Sequence, residues 1–215
     1  EIPREWFRIR ILDPHEHKPD AILWVAIRPD GDHAVVYEEL MDGRTRGDVA
    51  KAAATIRMVE RGHTAKPCRC LIDPRAAKKF LRTVERTVQD EYRRHGIPSE
   101  PAPGIGIAKG LKLLNGWFAI REEDRPFLQV FSSCTRTVKE LQSLTWLRDP
   151  RDYSLKERTR GLDDMVSCLR YLATWGPHIE KLRGSPEGEE WTGEGAEVED
   201  LLENVGLTDG TQTGY

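Results

Sequence analysis

Long apolar runs are missing from this 215-residue chain. Nothing in it approaches the ~20 consecutive apolar residues of a membrane-spanning helix, so no membrane association is expected. Cysteine is scarce. Cys68, Cys70, Cys134 and Cys168 are too few and too scattered to staple a chain of this length, and they suit a reducing compartment. Cys68 and Cys70 stand two apart in the strand-like run CRCLID, on one face by alternation, with His63 nearby. They lack the C-x₂₋₄-C loop spacing of structural zinc and read as small packing residues. No G-x-x-x-x-G-K-[ST] phosphate loop occurs, and GIGIAKGL is no substitute, so a nucleotide-driven motor is not expected within the chain. The first residue is Glu1, and no charged-then-apolar leader follows it; the start reads as a cut within a longer polypeptide.

Bases are absent from the last stretch. Nine of the 36 acids lie between Gly184 and Tyr215 with none of the 33 Lys and Arg, which leaves residues 1–183 at +6. A basic body with an acidic appendage is compatible with a polyanionic partner such as nucleic acid. The expected organisation is one domain over 1–183 and an acidic, flexible tail over 184–215. The tail carries one apolar patch, Leu201, Leu202 and Val205, suited to a docking helix.

Three strand-like runs come first, WFRIRIL (6–12), AILWVAI (21–27) and AVVYEEL (34–40). Short turn signals separate them, which predicts an antiparallel meander. Asp48 to Arg61 places Val49, Ala52, Ala53, Ile56 and Val59 on one helical face. The run CRCLI then reaches Asp73-Pro74. The segment to His95 sets Phe80, Leu81, Val84, Val88 and Tyr92 at helical spacing. IAKGLKLLNGWF reads as helix, FLQVFSS (127–133) as strand, and 135–147 as helix. A charged loop, RDPRDYSLKERTRG, leads to a final helix over 162–174 with Leu162, Met165, Val166, Leu169, Leu172 and Ala173 in one stripe. The class is α/β, with a central mixed sheet of the meander plus parallel strands, flanked by helices.

Acids end or open several of these elements. Asp13 closes the first strand, Asp73 closes the strand after the first helix, and Asp163 and Asp164 open the last helix. A right-handed crossover through the first helix can lay the fourth strand parallel beside the first, making Asp13 and Asp73 neighbours. Converging carboxylates repel and call for a cation. Hard Mg²⁺ or Mn²⁺ favours oxygen ligands, and two such ions can clamp the attacking and leaving oxygens of a phosphodiester. Taken singly, each aspartate also serves as a turn or helix-cap residue. His15 and His17, just past Asp13, are further candidates to touch a metal or position water. Lys78, Lys79, Arg82, Arg86, Arg93 and Arg94 crowd the second helical segment, and Arg75 follows Asp73; Arg75 is the preferred phosphate contact by proximity. Trp24, Trp117 and Trp146 lie in apolar runs and read as core residues.

The ordered set ILDPHEHKPDAILWVAIRPDG, CRCLIDPRAA, FLQVFSSCTRTVKELQSLTW and LDDMVSCLRY resembles the C-terminal nuclease domain of the large terminase subunit of tailed bacteriophages. The resemblance runs over most of residues 6–174, excludes the tail, and implies a ribonuclease H-like fold. It implies an endonuclease that cuts concatemeric double-stranded DNA during genome packaging, using Mg²⁺ or Mn²⁺, two ions in all. Catalytic, metal-binding acids would be Asp13, Asp73 and Asp164, with Asp163 beside it as a further metal ligand. The last helix departs from a common family form with His after the aspartate and another Asp four residues later; Asp164 and Ser167 stand there. The resemblance also implies a terminase ATPase domain, a portal protein and a small terminase subunit as partners, in the host cytoplasm. Two alternatives stand beside it: another ribonuclease H-like nuclease, such as a junction resolvase or hybrid hydrolase, and a non-catalytic docking module of the packaging machine.

Overall fold

The computed structural model describes residues 1–43, 47–78, 86–120, 125–144, 146–148, 155–157 and 163–177. The three apolar runs near the start form strands β1 (Phe7–Asp13), β2 (Ala21–Ile27) and β3 (Ala34–Leu40), paired antiparallel as a meander. After them come α1 (Val49–Arg61), β4 (Arg69–Ile72), α2 (Val88–Arg94), β5 (Glu100–Pro101), α3 (Ile107–Phe118), β6 (Leu128–Val130) and α4 (Thr135–Ser143). A hairpin of β7 (Trp146–Arg148) and β8 (Leu155–Glu157) and a last helix, α5 (Asp164–Trp175), complete the order. The main sheet is mixed and six-stranded, in the order β5-β4-β1-β2-β3-β6. As expected, β4 lies parallel to β1; β5 lies parallel to β4 and β6 parallel to β3.

Both faces of the sheet are covered, so β2 is buried at every position instead of alternating. On one face Ile9, Ile11, Leu23 and Val25 pack with Leu111, Leu114 and Trp117 of α3 and Met165, Leu169 and Leu172 of α5. Gly110 permits this approach: a Cβ there would stand 2.5 Å from Arg170 Cγ of α5. On the other face Leu12, Ile22, Trp24 and Ile72 meet Ala52, Ala53 and Ile56 of α1 and Tyr92 of α2. Arg10, buried in β1, is tied to α1 through Glu60 Oε1 at 2.5 Å, and the same oxygen accepts from Trp24 Nε1 at 3.0 Å. An ion pair that deep persists because its hydrogen bonds are filled from the sheet as well as the helix.

The structure corrects several expectations. The helix read into the segment before His95 is confined, among the described residues, to Val88–Arg94. Residues 74–78 turn instead, because Pro74 follows the strand and Asp73 O accepts from Ala76 N at 2.8 Å; Phe80, Leu81 and Val84 lie outside the described residues. The helix expected over 135–147 stops at Ser143 and gives way to β7, and the charged loop contains β8. Cys68 sits ahead of β4 against the α3/α5 core, whereas Cys70 is in register with Arg10. His63 engages Glu38 at 2.5 Å instead of a thiol. Trp24 and Trp117 are core residues, as expected; the Trp146 side chain and the tail over 184–215 lie outside the described residues. Among the described residues no helix is long and apolar enough to cross a membrane.

Candidate metal centre

β1 and β4 end side by side. Asp13 is the last residue of β1, where Pro14 supplies no N–H to continue the ladder. Asp73 follows β4 at once and donates its N–H to Leu12 O at 3.0 Å, which fixes the second carboxylate beside the first. Asp164 is the first residue of α5. All three are buried, at 2%, 6% and 2% exposure. The N-terminus of α5 is capped from outside: Glu140 Oε2 of α4 accepts from Met165 N at 2.7 Å and Val166 N at 3.3 Å.

The β1–β2 connection brings further groups. Asp20 Oδ1 accepts from His15 N at 2.7 Å, and Asp20 Oδ2 accepts from the Tyr92 hydroxyl. Held this way, His15 places Nε2 at 3.1 Å from Asp164 Oδ1 and 3.5 Å from Asp13 Oδ2. Lys18 sets its ammonium on the same Asp164 oxygen. From α5, two turns beyond Asp164, the Tyr171 hydroxyl donates to Asp13 Oδ1 at 3.4 Å. Arg75 folds back onto Asp73, its N and Nε both 3.0 Å from the carboxylate.

Charge is unevenly settled across this cluster. Burial pushes the Asp13 carboxyl up to about 7; His15 opposes the rise, and the neighbouring charges of Asp73 and Asp164 add to it. Burial also works against ionised Asp164, but the proximity of His15 and Lys18 outweighs it and holds that carboxyl below its ordinary value. Burial raises the Tyr171 phenol, with Asp13 and Asp73 adding to the effect, so it remains a proton donor. A cavity of about 670 Å³ opens beside the cluster, lined by His15, Lys18, Asp73 and Arg75 among others.

Ligand atoms of Asp13, His15 and Asp164 lie within 4.8 Å of one another, close enough for one ion to meet them together. Asp73 is adjacent but engaged by Arg75, outside that tight group. Asp163, expected as a further ligand, is the N-cap residue of α5; its carbonyl accepts from Ser167 N at 2.7 Å, and it too is outside the group. His17 is exposed and lies 3.7 Å from Glu16. The basic residues of the second helical segment are partly matched internally, Arg93 with Asp90 at 2.9 Å and Arg94 and Arg86 with Glu91 at 3.4 and 3.9 Å; Lys79 and Arg82 are outside the described residues. Lys18, Asp20, Tyr171 and Glu140 escape sequence reading. Lys18 and Asp20 have a faint local signal in HEHKPD, the polar run directly after Asp13.

No protein-family model and no curated protein matches the sequence. Solved structures do. The nuclease domain of the phage P22 large terminase aligns with a TM-score of 0.59 at 15% identity, over 86% of this chain and 90% of that one. The nuclease of the large terminase from thermophilic phage G20c, solved with bound magnesium, gives 0.52 at 15% identity, over 80% and 82%. The g2p nuclease domain of phage SPP1, solved with bound Mn, gives 0.51 at 14% identity, over 77% and 84%. Against the large terminase of another thermophilic bacteriophage the score is 0.58 at 16% identity, and the match spans only 40% of that longer chain. The mixed sheet and its flanking helices thus have the ribonuclease H-like fold of the large terminase nuclease domains.

Proposed function

We propose that this chain is a divalent-metal-dependent endonuclease domain that cuts double-stranded DNA during phage genome packaging. The observation that carries the reading is the convergence of Asp13 and Asp164 with His15 at the ends of β1 and α5, next to Asp73. Buried carboxylates so close are a poor arrangement without a cation, and the raised Asp13 carboxyl records that cost. The donor set suits such an ion, and Asp164 Oδ2 is a buried oxygen with no hydrogen-bond partner. The shared fold, seen in nuclease domains solved with manganese, magnesium and cobalt, supports the same reading.

Asp13 and Asp164 would hold one Mg²⁺ or Mn²⁺, and Asp73 would complete the site toward a second. Such ions lower the pKa of water and stabilise charge on the phosphate in flight. The chain's own residues do the remainder. Tyr171 orients Asp13, Glu140 fixes the start of α5, and Arg75, on the cavity wall, holds a DNA phosphate once it leaves Asp73. The ATPase motor, portal protein and small terminase subunit are the partners this reading implies, and the host cytoplasm the place.

Incubation of the protein with supercoiled plasmid in Mn²⁺ or Mg²⁺ tests the proposal. Nicked and linear DNA should appear, fall away steeply with salt, and vanish in Asp73→Asn while the fold persists. Intact plasmid under every divalent ion contradicts it. Branched and RNA:DNA hybrid substrates in parallel separate a packaging nuclease from a resolvase or hybrid hydrolase.

A further inference from the structure

Of the two histidines that follow Asp13 as candidate metal contacts, one places an imidazole nitrogen among the carboxylates. His15 Nε2 is 3.1 Å from one aspartate oxygen and 3.5 Å from the other. Adjacent donors around an octahedral ion with bonds of ~2.1 Å lie about 3.0 Å apart, so these separations are close to the edges of a coordination shell. Neither contact has the direction of a donated N–H bond. Nε2 is a buried atom with no hydrogen-bond partner, and so is Asp164 Oδ2, on a side chain only 3% exposed. Two unmatched polar atoms on adjoining ligand residues mark a place built for something that accepts lone pairs.

The ring is also fixed from behind. Pro14 precedes it, and its backbone N–H is bound by Asp20, which is itself held by Tyr92 of α2. His17, two residues on, has no such tether and is 78% exposed. Divalent first-row transition ions accept an imidazole nitrogen, Co²⁺ more strongly than Mn²⁺, whereas Mg²⁺ keeps to oxygen and retains its water.

Building on the metal-dependent reading above, we propose that His15 Nε2 is a ligand of the ion held by Asp13 and Asp164, so that the site selects Mn²⁺ or Co²⁺ over Mg²⁺. The donor set is mixed nitrogen and oxygen, which separates these ions further than oxygen donors alone. Lys18, on the same Asp164 oxygen, is the resident cation that the incoming ion displaces.

Pulsed electron paramagnetic resonance of the full chain loaded with Mn²⁺ reads the ligand directly. The wild type should show ¹⁴N modulation from a coordinated imidazole. His15→Gln should lose it while still binding Mn²⁺, with the Mn²⁺/Mg²⁺ affinity ratio from calorimetry falling about tenfold, the equivalent of ~1.4 kcal/mol. His17→Gln should leave both unchanged. Mn²⁺ that binds, and is lost in Asp13→Asn, but shows no ¹⁴N modulation overturns the role of His15 and leaves the nuclease reading standing. So does a ratio unmoved by His15→Gln. Failure of Mn²⁺ to bind at all, together with intact plasmid, overturns both.

Discussion

Glu140 accepts the amide of Met165 at 2.7 Å and so closes the first turn of the helix that begins with Asp164. Asp163, the residue in the capping position, makes no side-chain cap bond, so a carboxylate 25 residues before Met165 does its work. The arrangement is a relay. Glu39 of β3 caps α4 through Arg136 N and Thr137 N, both at 2.8 Å, and Glu140 of α4 in turn caps α5. The position of Asp164 therefore depends on the far end of the meander. Glu140→Ala should cost about 1–2 kcal/mol of stability, the ordinary price of a lost cap, and weaken Mn²⁺ binding as well. Glu140→Gln, which keeps an acceptor, should restore most of both. Urea denaturation and calorimetry check this; unchanged metal affinity in Glu140→Ala would separate the cap from the site.

Lys18 competes with metal for Asp164. Its side chain is 45% exposed, so the pair is screened and contributes at most about 1 kcal/mol. Lys18→Met should therefore raise Mn²⁺ affinity by up to about fivefold. Calorimetric titration decides it, and weaker binding in the variant would show that Lys18 assists the ion.

Asp13 makes stability depend on pH. Its folded carboxyl keeps a proton up to about 7, whereas the unfolded chain releases it near 3.8. Within that window the folded state binds more protons, so stability of the metal-free protein falls as pH rises from about 4 to about 7 and then levels. Burial also raises Asp20 and Glu140, which adds slope of the same sign. Asp13→Asn should make the decline of Tm shallower, as should saturating Mn²⁺, which binds the deprotonated form. His33, held below its ordinary value by burial, contributes slope of the opposite sign, so the comparison with Asp13→Asn is decisive: an unchanged pH dependence of Tm in that variant contradicts the assignment.

Arg75 pairs with Asp73 at 3.0 Å yet is 78% exposed, facing the cavity. As a phosphate contact it should act without regard to sequence. Arg75→Ala should weaken duplex binding uniformly and reduce the slope of log affinity against log salt by about 1, with Mn²⁺ affinity retained. Filter binding in Ca²⁺ over a salt series measures it. An unchanged slope assigns Arg75 to Asp73 alone.

Periodicity and turn residues made most of the frame legible. The runs ending at Asp13-Pro14 and Asp73-Pro74 are strands, α3 and α5 fall within two residues of their stripes, and the parallel β1–β4 pair followed from the crossover. The short elements were not legible. β5 has two residues and β7 and β8 three each, too few for an alternation to register. Asp13, Asp73 and Asp164 stood out as candidates because each ends or opens an element, and the structure brings Asp13 and Asp164 together with His15. The roles of Tyr92, Tyr171 and Glu140 were not legible, because what distinguishes them is contact with residues 25 to 158 positions away, which leaves no local trace. His15 was visible as a candidate, but its separation from His17 needed the Asp20 tether.

Manganese anomalous scattering from a crystal of the full chain locates the ion itself. A strong peak is expected bounded by Asp13, His15 and Asp164, absent in Asp13→Asn, with any second peak toward Asp73. No peak there at saturating Mn²⁺, or one bound only by residues elsewhere on the surface, would contradict the proposed site.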